Sequence, residues 1–202
     1  SSVAANPRNP LAMVGASKRF TDPTHYGFTL AAYFSTDGGQ TWQEAPPLQL
    51  LSDPDPNKTW AGTSDPVVAW DDMGNVYLVA LPFPKDGGPY FTLGIAVYRS
   101  SDGGATWSPP NFIHPHAAGS NDADDKQDGT PASPRVGNVY AAWDTGQRLS
   151  FARSTDHGAT WAVSERARRV PDSTARSATR SRPRSRSGKM ARCTSSGAPA
   201  RR

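Results

Sequence analysis

Carboxylates carry most of the chemistry available to this sequence, and three of them sit in copies of one short pattern. Ser35-Thr36-Asp37-Gly38-Gly39-Gln40-Thr41-Trp42 returns as Ser100-Ser101-Asp102-Gly103-Gly104-Ala105-Thr106-Trp107 and again as Ser154-Thr155-Asp156-His157-Gly158-Ala159-Thr160-Trp161. Asp37, Asp102 and Asp156 could ligate a metal or a small molecule. The competing role is local. An aspartate at a turn accepts backbone N–H bonds, and a serine hydroxyl does the same. Gly39, Gly104 and Gly158 supply positive φ at no steric cost, and the tryptophan gives the next strand a large ring to pack. Turn stabilisation is the preferred reading of all three.

Other candidates are less organised. Asn121-Asp122-Ala123-Asp124-Asp125-Lys126-Gln127-Asp128 is the densest acidic stretch. Asp122, Asp124 and Asp125 offer hard oxygen ligands for Ca²⁺ but lack the spacing and glycine of an EF-hand loop. Solvated loop charge is preferred, and no cofactor is expected. His114 and His116 have no further ligand near them in sequence, so zinc is not expected. Asp86-Gly87-Gly88 lacks the Gly-Lys-Ser/Thr ending of a phosphate loop.

The elements that must position these residues follow from the spacing of the boxes. Their aspartates lie 65 and 54 residues apart, a period that suits a four-stranded unit. Each box follows a strand-like run: 28–34, 93–99 and 149–153. A second hairpin precedes the later boxes. Ser64 to Ala80 reads as strand, glycine turn and strand; Pro134 to Trp143 repeats its second half, and Asn6 to Val14 is a degenerate version. Two hairpins per period make one four-stranded propeller blade.

With the preceding Asp-Pro-x-Val-Ala and Gly-Asn-Val-Tyr segments, the boxes resemble the Asp-box (BNR) repeat of bacterial sialidase-like propellers over roughly residues 6–162. That resemblance implies an all-β propeller of four-stranded blades, about three of six or seven being present, with the boxes on outer hairpins away from the central funnel. A sialidase of this kind would need an arginine triad, an acidic acid/base residue and a Tyr–Glu nucleophile pair. No Arg-Ile-Pro-type segment stands in the first blade, and the only glutamates are Glu44 and Glu165. The chain is therefore expected to be an inactive fragment of a glycoside-hydrolase-type propeller, or else a non-catalytic Asp-box module that binds extracellular glycan or protein. Connections entering the innermost strands would line one mouth of the funnel. That singles out Trp60 and Asp65 before the second blade, and Asp125 and Lys126 before the third, as glycan contacts. Three blades alone would leave two open edges and a marginal or aggregation-prone chain.

Composition divides the molecule. Residues 1–162 carry 10 basic and 16 acidic side chains, a net −6, whereas 163–202 carry 12 basic and 2 acidic, a net +10. The basic character belongs to the Arg/Ser-rich tail, so nucleic-acid binding is expected only if that tail is genuine. The sole cysteine, Cys193, lies there too. A cysteine-free body is compatible with an exported protein, extracellular or periplasmic, and no signal peptide is seen in the chain. No apolar run is long enough for a membrane-spanning helix.

The tail also holds a second message. Reading codons from the third base of each codon between Ala178 and Gly197, with GC-rich choices, gives DPVAPAVAVGEDGTVYVVW. Met190-Ala191 forces the last glycine of that string, because ATG-GCN contains GGC. The string matches the opening hairpin at Ser64 to Ala80. The region from about Ser164 onward thus reads as a frameshifted translation in which a fourth blade was encoded.

Overall fold

A computed structural model of the chain describes residues 1–25, 27–50, 60–84, 94–115, 125–130, 138–144 and 149–166. Among them every regular element is a β-strand. The first sheet contains β1 (Ser2–Asn6), β2 (Asn9–Asp22), β3 (Gly27–Ser35) and β4 (Gln43–Glu44). The second holds β5 (Trp60–Trp70), β6 (Val76–Pro84), β7 (Gly94–Ser100) and β8 (Asn111–Pro115). The third has β9 (Asp125–Thr130), β10 (Val139–Asp144), β11 (Leu149–Ser154) and β12 (Ala162–Arg166). Each is a four-stranded antiparallel meander in chain order. This is the all-β architecture of four-stranded blades that the box spacing predicts. The last strand continues past residue 162, where the body of the fold was expected to stop.

The three sheets share one register. Met13 pairs with Ser35, Val76 with Ser100 and Val139 with Ser154. The box serine therefore faces the first residue of the second strand in the later two sheets and the fifth in the first. Alternation along each strand gives every sheet two faces. Val14, Ala16, Leu30 and Ala32 of the first sheet form one apolar core with Val68, Trp70, Val76 and Leu78 of the second. Opposite faces of the second sheet, carrying Tyr77, Val79, Ile95 and Val97, form another with Val139, Ala141, Trp143 and Ala152 of the third. Sheet stacking of this kind, with β5 against β1 and β9 against β5, puts the first strand of each sheet beside the first strand of the next. Burial of these side chains contributes about 25 cal/mol per Å² of apolar surface removed from water.

Candidate functional site

The boxes occupy one end of the sheets and satisfy themselves. In the first, Ser35 Oγ donates to Asp37 Oδ1 at 2.7 Å and accepts from Gly39 N at 2.9 Å. Thr41 gives its backbone N–H to Asp37 Oδ1 at 2.9 Å and its hydroxyl to Oδ2 at 2.6 Å. The second and third boxes repeat these bonds: Asp102 takes the N–H and hydroxyl of Thr106, and Asp156 those of Thr160. The Thr41 hydroxyl and N–H hold the Asp37 carboxyl down at about 2, and Thr160 does the same for Asp156. Burial works against the Asp102 charge, yet Thr106 and Ser100 still bring it below the ordinary value. Donors that point inward at each carboxylate leave it little capacity for an outside ligand. Trp42 and Trp161 complete their turns by donating Nε1 to the carbonyls of Gly39 and Gly158.

The boxes also join the sheets. A Cβ on Gly104 would lie 2.5 Å from Val14 Cγ2, and one on Gly158 would lie 2.7 Å from Tyr77 Cε1. Val14 and Tyr77 are the same register position in successive sheets, one residue after the partner of the box serine. Each later box is thus seated on the sheet before it, and only glycine fits the seat.

The third box adds a polar tie. His157 stands where the other boxes have Gly38 and Gly103, and it adopts φ 55°. Its Nδ1 lies 3.1 Å from Oδ2 of Asp71, in the β5–β6 turn. Asp71 is buried. Its Oδ1 accepts N–H bonds from Met73 and Asn75, and its Oδ2 accepts from Asn75 Nδ2 and the Tyr77 hydroxyl. Burial disfavours the Asp71 charge, but these donors, Asn75 foremost and then His157, keep its carboxyl below the ordinary range. Burial, and next the neighbouring Asp71, push the Tyr77 phenol upward. Asp71, Asp72 and His157 bring ligand atoms within 4.8 Å of one another. Both Asp71 oxygens are committed to protein donors, and through His157 the cluster joins the second sheet to the third.

Opposite the boxes lies a second constellation, near the end of β2 and the start of β3. Lys18 Nζ pairs with Asp65 Oδ1 at 3.1 Å and sits 4.7 Å above the centre of the Phe28 ring. Phe28 in turn meets Phe83 at 5.6 Å and Phe20 at 6.2 Å between ring centres. Asp65 is exposed and holds φ 48° at an irregularity in the β5–β6 pairing between Ser64 and Val67. Backbone held in this region by a non-glycine residue stores strain and is enriched at functional sites. On β2 and β4, Arg19 pairs with Glu44. These two residues, with Thr29, Leu48 and Thr63, line a cavity of about 240 Å³. Phe20 is exposed, and Phe28 and Phe83 are half-buried; an accessible ring face can stack on the apolar face of a sugar while neighbouring charged groups hydrogen-bond its hydroxyls.

Placement of the expected glycan contacts is mixed. Trp60 opens β5 and Asp65 lies within it, while Asp125 opens β9 with Lys126 next. All four therefore belong to the innermost strands themselves and not to the connections before them. A strand starts earlier than its apolar pattern because pairing with its neighbour needs only backbone groups. Asp65 meets Lys18; the side chains of Trp60, Asp125 and Lys126 lie outside the described residues, as do Asp122 and Asp124. His114 is buried against the Trp143 ring at 4.9 Å, and His116 is outside the described residues. Sequence reading missed Lys18, Phe28 and Phe83. Lys18 and Phe28 share the β2–β3 hairpin, but Phe83 and Asp65 belong to the next sheet, and only the stacking of sheets brings the two pairs together. The histidine in place of a box glycine was the one visible signal for the Asp71 joint.

The BNR/Asp-box repeat family matches residues 33–44 and 98–109. The third box makes the same hydrogen bonds with His157 in its turn. No curated protein matches the chain. Among solved structures, the leech intramolecular trans-sialidase bound to 2,7-anhydro-Neu5Ac is similar at 13% identity and a TM-score of 0.50, over 81% of this chain and 43% of that one. A glycosyl hydrolase from Bacteroides ovatus is similar at 18% identity and a TM-score of 0.50, over 80% and 47%. The chain spans less than half the length of either. Its blades are those of a sialidase-like β-propeller carrying Asp-box repeats.

Proposed function

We propose that this chain is the glycan-contacting part of a glycoside-hydrolase-type propeller that works outside the cell, and that on its own it binds sugar without cleaving it. The observation that carries this reading is the Lys18–Asp65 pair set against Phe28 and Phe83, beside a strained residue of an innermost strand. The blade fold shared with a trans-sialidase and a glycosyl hydrolase supports the same class of ligand. Glycoside cleavage asks for two carboxyl groups flanking the scissile bond in most such enzymes, and in sialidases for an acid/base carboxyl with a tyrosine nucleophile. The carboxylate of this cluster among the described residues, Asp65, is turned to Lys18. That arrangement suits hydrogen bonding to hydroxyls and favours binding over catalysis. It equally favours a second reading, a non-catalytic propeller module.

Calorimetric titration with 3′-sialyllactose and with lactose tests the proposal. Binding of either, weakened severalfold by Phe28→Ala and by Lys18→Ala with no release of free sugar, is the expected result. Unchanged binding in both variants would place recognition elsewhere. Hydrolysis by the chain alone would overturn its non-catalytic part.

A further inference from the structure

The three sheets use the same register positions for their onward faces, and among the described residues nothing covers the face of the third. Counting back five and three residues from each box serine gives Leu30 and Ala32, then Ile95 and Val97, then Leu149 and Phe151. The first pair is 6% and 2% exposed and the second 0% and 3%, each covered by the following sheet. The third pair is 61% and 38% exposed. Tyr140, in the register of Val14 and Tyr77, lies beside Phe151 with ring centres 5.5 Å apart. Apolar side chains persist at these positions although nothing among the described residues covers them, which marks an interaction surface.

We propose that this face seats a fourth blade, and that its first hairpin is encoded between residues 178 and 197 in the shifted reading frame. The chemistry of that hairpin fits the seat. Its GTVYVVW run parallels Gly74-Asn75-Val76-Tyr77-Leu78-Val79-Ala80. In the second sheet Val76, Leu78 and Ala80 are the β6 residues that enter the core shared with the first sheet. With the GC-rich codons chosen above, the shifted hairpin presents Val, Val and Trp at those positions, an apolar row for Tyr140, Leu149 and Phe151 to pack on. A chain of the Arg/Ser composition found at 166–186 presents no such row.

Two measurements test this. Reading the source gene from codon 164 in all frames is the first; a frame that does not encode the Val-rich hairpin overturns the proposal. The second compares the present chain with one whose frame is restored by a single added base, both carrying Leu149→Cys, with Cys193→Ser in the present chain. Thiol labelling at position 149 should slow at least about tenfold in the frame-restored protein, because closure of the face limits access. Equal labelling rates in two folded proteins would overturn it. Phe151→Asp supplies an independent check: it should destabilise the frame-restored protein and leave the present chain nearly unchanged. Equal effects in both would contradict the seat.

Discussion

At the box end of each sheet the polar groups are turned inward on one another, whereas at the far end of the first two sheets they meet across sheets on an exposed aromatic surface. Asp37, Asp102 and Asp156 spend their oxygens on a serine and a threonine of their own turns. Lys18 and Asp65 come from different sheets, and the rings of Phe20 and Phe28 lie beside them. The repeated residues thus make the fold, and the unrepeated ones form the surface proposed above to meet a ligand. In a repeat protein the motif that identifies the architecture is a poor guide to the site, since identical turns recur in every blade and a ligand is met by only some of them.

That contrast can be broken most severely at Asp71. Asp71→Ala strips five hydrogen bonds from a buried turn and uncouples His157, which should cost about 3 kcal/mol. Urea unfolding followed by tryptophan fluorescence measures it; a loss below about 1 kcal/mol would mean the joint is incidental. Next in size is the glycine seat. Gly158→Ala drives a methyl into Tyr77 at φ 82°, and should cost about 2 kcal/mol from clash and backbone strain together. Gly103→Ala is the control, because a Cβ there meets nothing within 4 Å at φ 79°; it should lose only the strain, about 1 kcal/mol.

A smaller effect sharpens the comparison by pH. The Asp37 carboxyl lies at about 2 in the folded chain against an ordinary 3.8. Its stabilisation is therefore complete above the ordinary value and is lost as pH falls through about 2. The thermal midpoint should decline over that window, and Asp37→Asn should flatten part of the decline. An identical acid profile in the variant would show that the box carboxylate is not what the acid titrates. Smallest of all is the stability effect of Lys18→Ala. Its ion pair is partly exposed, so unfolding should change by no more than about 1 kcal/mol. The variant should nevertheless weaken glycan binding.

Much of the box end was legible in the residues. The Ser-x-Asp-x-Gly-x-Thr-Trp period fixes the meander and the register, because each turn is closed by residues at most four apart. The far end was legible only in outline. Trp60 and Asp65 were expected in the connection that enters an innermost strand and lie in the strand itself; Lys18 pairs with Asp65 across 47 positions, and Phe28 meets Phe83 across 55. Contacts of that range are decided by how sheets stack, and no local pattern encodes them. The same reason hid the link from His157 to Asp71.

Backbone amide shifts followed during titration with 3′-sialyllactose, with lactose beside it, test the division between the two ends most directly. The account predicts perturbations grouped at Lys18, Phe28, Asp65 and Phe83, with Asp37, Asp102, Asp156 and their threonines silent. Perturbations centred on the box aspartates, with that aromatic cluster unmoved, would contradict it.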